Sequence, residues 1–294
     1  MIRYTAFCKI CETGSFTRAA EEMGYTQAAV SQMIRSLEDE LSVTLFIRTR
    51  RGVELTEEGK RLFPLIEKYV LAYRDLGEAA SDINGLEMGE IRIGTCSSIS
   101  QRLLPPLISD FTKIYPNVTF TLMQGNNTTM PEWIKSGMID FGFVYPQAAK
   151  ELQCRIILKD PYLAVIPENH PLAEKSEVSL EELAREPLII ADEGITNTVL
   201  MAFESKGIKV SPKFRIQDDH TILSMVESGL GVSVLSSMLL EKADYRIKKL
   251  KISTPVVRSF GVTYRDRESL PISSKKFIDF MFEKTGTKKQ DVRK

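Results

Sequence analysis

Apolar and polar positions change their period twice along the chain. Residues 1–56 read as short helices followed by a small hairpin, residues 57–87 as one long helix, and residues from 90 onward alternate strand-like and helix-like stretches. Gly14-Ser15-Phe16-Thr17-Arg18-Ala19-Ala20-Glu21-Glu22-Met23-Gly24 predicts a short capped helix. Ser15 or Thr17 can accept backbone N–H groups at its start, and Gly24 allows a left-handed turn at its end. Ala19 and Ala20 leave room for a crossing helix. Thr26 caps the next one, Gln27 to Glu40, whose apolar set Val30, Ile34, Leu37 and Leu41 shares one face. From Leu62 the apolar positions Leu62, Ile66, Tyr69, Tyr73, Leu76, Ala80 and Ile83 step by fours and threes, which is a heptad seam. A single helix packed on its own domain has the same pattern, but the stripe runs on past any small first domain and favours a dimer seam. Pro64 removes one backbone bond and need not break the helix. Further on, Ile91–Gly94, Phe120–Met123, Phe141–Val144 and Leu163–Ile166 read as strands, with a helix at Leu103–Phe111 between the first two. Such alternation predicts α/β layering. The polar end, Thr285 to Lys294, is expected to fray.

Composition narrows the class. A chain of 294 residues suggests two domains at roughly 150 residues each. Lys and Arg total 39, as do Asp and Glu, so bulk charge cannot hold nucleic acid. With 43% apolar and 27% charged residues the chain suits a soluble globular protein. No apolar run nears the ~18 residues of a spanning helix, and the N-terminus lacks secretory features, so no membrane and a cytoplasmic location are expected. Cys8, Cys11, Cys96 and Cys154 form no disulfide framework, and no second pair completes a zinc site with Cys8 and Cys11, which fit a helix core. His170 and His220 have no nucleophile elbow beside them. The expectation is a protein without cofactor or metal, and not an enzyme.

The first helices carry chemistry for DNA. Opposite the apolar face of Gln27–Glu40 lie Gln27, Ala28, Ser31, Gln32 and Arg35, flanked by Thr17, Arg18 and Thr26. Gln pairs with adenine edges and Arg with guanine. Two helices so joined form a helix-turn-helix, although any small bundle with a polar surface fits the spacing equally. The hairpin Phe46–Leu55, with Arg48, Arg50 and Arg51 at its tip, shifts the balance toward a basic wing gripping phosphates. Residues 1–61 hold nine bases and nine acids, so binding depends on where the charges sit, with Glu38-Asp39-Glu40 pointing away from DNA. Among later clusters, Gly94-Thr95-Cys96-Ser97-Ser98-Ile99-Ser100-Gln101 follows a strand and opens a helix. It suits a small anion such as a carboxylate, and simple helix capping fits it equally well. Thr196-Asn197-Thr198 and Asp218-Asp219-His220-Thr221 also precede helix patterns.

Gly14-Ser15-Phe16-Thr17-Arg18-Ala19-Ala20, Thr26 to Ile34, Leu37-Glu38, Leu45-Phe46, Arg48 and Leu55-Thr56-Glu57-Glu58-Gly59 together resemble the N-terminal signature of LysR-type transcriptional regulators. Ala28 stands where many members have Pro or Ser, and Gln32 where a basic residue is common. Leu103-Leu104-Pro105, Tyr115-Pro116, Ile139-Asp140-Phe141, His170-Pro171-Leu172-Ala173 and Gly229-Leu230-Gly231-Val232 are similar to the family's effector domain. The resemblance implies an α/β protein in three parts: a winged helix-turn-helix at 1–57, a linker and dimerisation helix at 58–88, and an effector domain at 89–294. That last part would resemble periplasmic binding proteins, with one subdomain at 89–161 and 265–294 and another at 162–264. The crossing strands are expected at Leu163–Pro167 and Phe260–Tyr264. Cleft ligands would then touch Cys96, Ser97, Ser98 and Ser100, with Thr196, Asn197, Thr198 and His220 as further candidates. The implied partners are double-stranded DNA, a small and anionic effector, further copies in a homodimer or homotetramer, and RNA polymerase. The alternatives are a redox-responsive regulator using Cys96, an effector-independent regulator, and a solute-binding protein.

Overall fold

The computed structural model describes residues 1–49, 52–83 and 89–286. Helices α1 (Ile2–Thr13), α2 (Phe16–Met23) and α3 (Gln27–Leu41) enclose a core of Ala6, Phe7, Ile10, Ala19, Ala20, Val30, Ile34 and Leu37. Local chemistry sets their ends. The Ser15 hydroxyl accepts the Arg18 N–H at 3.4 Å, and Thr26 accepts that of Ala29 at 3.2 Å. Gly24 closes α2 at φ 72°, a left-handed conformation that favours glycine. Strands β1 (Phe46–Thr49) and β2 (Gly52–Leu55) form an antiparallel hairpin with Phe46 opposite Leu55. Glu38 turns from α3 toward this hairpin and accepts the Leu45 N–H at 2.6 Å, so the hairpin is tied to α3.

Helix α4 (Glu57–Ile83) runs through Pro64 unbroken. Thr56 caps it, accepting the Gly59 N–H at 2.9 Å. A Cβ on Gly59 would lie 2.4 Å from the Leu45 carbonyl oxygen, so glycine is what lets α4 start this close to the residue that leads into β1. The seam expected along α4 needs correcting at its start. Ile66 is buried in the core of its own first domain and Leu62 packs against that core. Among the described side chains of α4, Leu65, Tyr69, Tyr73 and Leu76 are the large exposed apolar ones, with Ala80 exposed beyond them, while the Ile83 side chain lies outside what is described. The apolar period of a helix gives a stripe, and here that stripe is shared between the chain's own core and the outside.

The chain continues through β3 (Gly89–Thr95), a π-helical turn (Ile99–Leu103), α5 (Leu104–Ile114), β4 (Val118–Gln124), α6 (Thr129–Lys135), β5 (Phe141–Val144), α7 (Pro146–Ala149) and β6 (Gln153–Pro167). Then come β7 (Glu177–Val178), α8 (Leu180–Leu183), β8 (Leu188–Ala191), α9 (Thr198–Ser205), β9 (Phe214–Ile216) and α10 (Asp219–Glu227). The last elements are β10 (Val232–Ser236), α11 (Ser237–Leu240), β11 (Ile247–Ile252), β12 (Val257–Tyr264) and α12 (Ile272–Lys284). The polar segment 287–294 lies outside the described residues.

Two α/β subdomains share two crossing strands. In the first, β3 lies parallel between β4 and β5, over a core that includes Ile91, Ile93, Phe111, Phe141 and Phe277. In the second, β8 lies parallel between β9 and β10, with cores on both faces of the sheet. Strand β6 passes between them: residues up to Pro161 pair with β12, and residues from Tyr162 pair with β10 and β11. The chain enters the second subdomain near Tyr162, but the return does not lie near Tyr264. Gly261, Val262 and Thr263 already pair with β5, and Phe260, Val262 and Tyr264 lie in the first subdomain's core. Val256 belongs to the second core, so the chain returns between Val256 and Val257.

Candidate functional site

A cavity of about 430 Å³ lies between the subdomains, at the C-terminal ends of parallel strands. Cys96, Ser97 and Ser98 follow β3, Gln124 ends β4, Asp192 and Glu193 follow β8, and Gln217 to Asp219 follow β9. Open α/β sheets bind ligands in this position. Met130, Trp133, Tyr145 and Phe260 supply an apolar wall. A Cβ on Gly125 would sit 2.5 Å from the Trp133 ring, so glycine makes room for the indole beside the cavity.

The inner end of the cavity is a buried ionic network. Arg258 on β12 has a side chain only 8% exposed. It donates from Nε and Nη2 to Asp160 Oδ2 at 3.0 and 2.8 Å, from Nη2 to Ser98 Oγ at 2.7 Å, and from Nη1 to Tyr145 at 3.3 Å. Glu193 Oε1 accepts both the Tyr145 and Tyr162 hydroxyls, at 2.8 and 2.7 Å. Glu193 Oε2 is buried and takes no hydrogen bond among the described residues. Burial first, and then the Glu193 charge, push both phenols above their ordinary value, so they stay protonated donors. Tyr145 belongs to the first subdomain, Glu193 to the second, and Tyr162 and Arg258 to the crossings. The network therefore spans the hinge.

Other contacts bridge the two lips. Asn127 donates its N–H to the Glu193 carbonyl at 3.1 Å and its side-chain amide to that of Thr196 at 3.3 Å. The Ile195 N–H donates to Thr128 Oγ1 at 2.9 Å. On the far side Gln101 meets His220 at 3.3 Å, and Arg102 pairs with Glu241.

These positions sort the expected ligand residues. Cys96, Ser97 and Ser98 line the cavity. Ser100 does not; its hydroxyl donates to the Ser97 carbonyl at 3.1 Å. Asn197 caps α9, accepting the Leu200 N–H at 3.0 Å, and Thr196 and Thr198 flank that cap away from the cavity lining. His220 bonds Gln101 and Tyr245 and stands at the lip rather than in the lining. The residues missed were Glu193, Arg258, Tyr145, Asn127 and Trp133. A lone arginine among the apolar residues of β12 was the available signal, since a charge there needs a buried partner.

The charges of the lining bear on the ligand. Arg258 is the cationic residue among the described lining residues, and Asp160 already engages its guanidinium. Around the same cavity stand Asp192, Glu193, Asp218 and Asp219. Burial pushes the Asp219 carboxyl above its ordinary value, with the neighbouring Glu193 and Asp218 charges adding to the rise and Ser97 and Arg258 opposing it. Among the described lining residues, Arg258 stands as the cation beside four carboxylates.

Burial likewise pushes the Cys96 and Cys154 thiols above their ordinary value, and the Cys8 thiol up to about 12. That leaves little thiolate for redox chemistry. Cys8 and Cys11 pack against the first domain's core.

On the first domain, Thr17, Arg18, Thr26, Gln27, Ala28, Gln32 and Arg35 are exposed and Ser31 half-exposed. Gln27 donates to Ser31 Oγ at 2.8 Å along one face of α3. Of the acidic run, Glu38 is turned to the wing and Glu40 pairs with Arg3 at 2.8 Å. Arg50 and Arg51 lie outside the described residues, as does the side chain of Arg48.

Comparison with known proteins decides the family. Residues 3–60 match the bacterial regulatory helix-turn-helix protein, lysR family, and residues 84–286 match the LysR substrate binding domain. The chain belongs to the LysR family. It is a DNA-binding transcriptional regulator with an effector-binding domain. The HTH-type transcriptional regulator YvbU of Bacillus subtilis is 34% identical, over 95% of this chain and 97% of its own. A full-length single-residue variant of OxyR from Pseudomonas aeruginosa shares the fold with a TM-score of 0.74 at 22% identity, covering 97% of this chain and 94% of its own. Full-length CbnR complexed with its target DNA does so with a TM-score of 0.63 at 18% identity, covering 96% of this chain and 98% of its own. Among the described residues of this LysR-family regulator, no helix is long and apolar enough to cross a membrane.

Proposed function

We propose that this LysR-family regulator reads a two-fold operator as a homodimer or homotetramer, and that a small molecule in the cleft changes its grip on that operator. The carrying observation is the cavity of about 430 Å³, whose walls come from both subdomains and whose floor is the hinge network. A molecule touching both walls binds one relative orientation of the subdomains better than others, which is what a ligand needs in order to shift a conformational equilibrium. Coupling of this kind is typically about 1–3 kcal/mol, or about 5- to 150-fold in affinity.

On DNA, the exposed face of α3 with Gln27, Ala28, Ser31, Gln32 and Arg35 reads the major groove, while Thr17, Arg18 and Thr26 meet the backbone beside it. The wing residues Arg48, Arg50 and Arg51 grip flanking phosphates. The exposed stripe Leu65, Tyr69, Tyr73 and Leu76 pairs two copies along α4. The regulator acts with its DNA in the cytoplasm, contacts RNA polymerase there, and performs no catalysis.

The test is fluorescence anisotropy with a labelled fragment of the protein's own promoter. Gln27→Ala weakens specific binding by about 1–3 kcal/mol while leaving nonspecific binding unchanged. Equal operator affinity of variant and wild type removes α3 from the groove.

A further inference from the structure

The cleft is lined by four carboxylates, of which Asp192 and Asp218 are exposed and Glu193 and Asp219 half-buried, against Arg258, the cation among its described lining residues. Glu193 presents one oxygen to two tyrosine hydroxyls and leaves the other, Oε2, buried without a hydrogen bond among the described residues. A carboxylate oxygen stripped of water and given no donor is costly to leave so. Arg258 cannot serve it in full: its Nη1 lies 3.6 Å from Oε1, and its strong bonds go to Asp160 and Ser98. Asp219 faces the same cavity from the start of α10 and is held above its ordinary carboxyl value by burial. Trp133 and Phe260 complete the lining with aromatic surface.

We propose that the effector of this cleft is a small organic cation bearing an ammonium or guanidinium group, received by Glu193 and Asp219 against the Trp133 indole. The proposal rests on the reading of the cleft as an effector site and names its ligand class. A small rotation of the Glu193 carboxylate, whose side chain is 14% exposed, brings Oε2 within reach of an N–H donor from such a ligand. Its charge offsets the unbalanced carboxylates, and its alkyl part lies on an indole face that attracts cations. The cavity of about 430 Å³ falls in the lower part of the usual size range for small-molecule sites, which suits a compact amine. Because Glu193 also holds Tyr145 and Tyr162, a cation bound there engages the hinge itself.

Trp133 is the one tryptophan in the sequence, so intrinsic fluorescence reads the cleft directly. The full-length protein is titrated with 1,4-diaminobutane and agmatine, and in parallel with succinate and 2-oxoglutarate. The expected result is saturable quenching or enhancement, with a matching rise in melting temperature, by at least one of the two amines and by neither carboxylate. Glu193→Gln then weakens amine binding about thirtyfold or more. Asp219→Asn, which leaves the tyrosine contacts intact, acts in the same direction and covers the case in which Glu193→Gln alters the fold. The proposal is overturned if neither amine binds, if a carboxylate binds as tightly as the amines, or if the amines bind both variants as they bind wild type. Saturable carboxylate binding abolished by Ser97→Ala would remove the cationic class and leave the effector cleft standing. No saturable binding by any of the four probes, combined with unchanged operator affinity in their presence, would count against both.

Discussion

Replacing Arg258 by methionine tests the hinge network most directly. Methionine keeps much of the side-chain length and removes the charge and all five donors. Asp160, 2% exposed, would then keep only the Ser237 hydroxyl at 3.0 Å and the Met238 N–H at 3.2 Å. Ser98 and Tyr145 each lose a partner as well. Removing one member of a buried ion pair typically costs about 3–5 kcal/mol, because the other charge stays behind without compensation. For an effector domain of this size, each kcal/mol shifts the melting temperature by about 2–4 °C, so the transition should fall by about 6–20 °C. Urea denaturation followed through Trp133 fluorescence reads this domain, since its lone indole lies at the cleft. The double variant with Asp160→Asn supplies the control. An amide can still accept from Ser237 and Met238 and carries no charge. The pair should therefore recover at least about 1 kcal/mol relative to the sum of the single effects. A loss below about 1 kcal/mol for Arg258→Met, or strict additivity in the double variant, would refute the account of this network as a compensated buried pair.

The remaining expectations concern the other contacts that hold the regulator together. Burial alone would raise the Asp140 carboxyl, but Arg92 at 2.8 Å and Arg74 at 3.1 Å more than offset this and hold it below 3.8. A carboxyl depressed on folding adds stability above its unfolded value, and that stability is lost as pH falls through the lower folded value. The advantage of wild type over Asp140→Asn in denaturant melts should therefore be full at neutral pH and shrink below about pH 4; a pH-independent difference would oppose this. Leu76→Glu, on the 67% exposed Leu76, should shift sedimentation toward monomer while leaving circular dichroism unchanged, and an unaltered sedimentation profile would take α4 out of the interface. Gly59→Ala must separate α4 from the Leu45 carbonyl, and should lower the first domain's stability by about 1–3 kcal/mol in chemical denaturation; a neutral effect would mean the contact yields easily.

Where the sequence could be read, the determinants were local. Ser15, Thr26 and Gly24 announce helix ends because capping bonds reach only three residues and a left-handed turn needs a particular residue type. The same rule says less in the effector domain. Thr196-Asn197-Thr198 has the look of a ligand cluster, yet Asn197 spends its side chain on the α9 cap and on the Ala191 carbonyl at 2.8 Å. Ile66 lies in the core of its own domain and Leu62 packs beside it for a reason the pattern does not carry: a heptad stripe specifies one face, but not whether that face meets its own core or another copy. The return crossing was misplaced because Phe260-Gly261-Val262-Thr263-Tyr264 alternates in the same way whichever sheet it joins. Glu193 and Arg258 stayed hidden because their partners are remote in sequence; Asp160 and Arg258 meet across 98 positions. No periodicity encodes such a pairing. The only hint is that an isolated charge in an apolar strand must be compensated somewhere.

The placement of the ion pairs around the linker bears on how a ligand signal leaves the cleft. Arg74 on α4 binds Asp140, Glu67 on α4 binds Arg265, and Glu12 on α1 lies 3.7 Å from Arg92. Asp140, Arg265 and Arg92 all belong to the first subdomain or the loop after its last strand. These contacts make that subdomain and the DNA-binding domain neighbours within one chain. The second subdomain joins the first through β6, β12, the Asn127 and Thr128 bridges and the hinge network. A ligand that moves the second subdomain therefore acts on a body not directly pinned by these linker pairs. Within one chain, the shortest route back to DNA runs through Tyr162, Glu193 and Arg258 into the first subdomain. In the proposed oligomer, the second subdomain could instead press on a neighbouring copy. The first route requires the hinge network to rearrange, whereas the second requires only that it pivot. The buried, compensated contacts of Arg258 favour a pivot, because pulling them apart would cost several kcal/mol, more than the about 1–3 kcal/mol typical of allosteric coupling. The network is thus better suited to serve as the axle of the motion than as the element that switches.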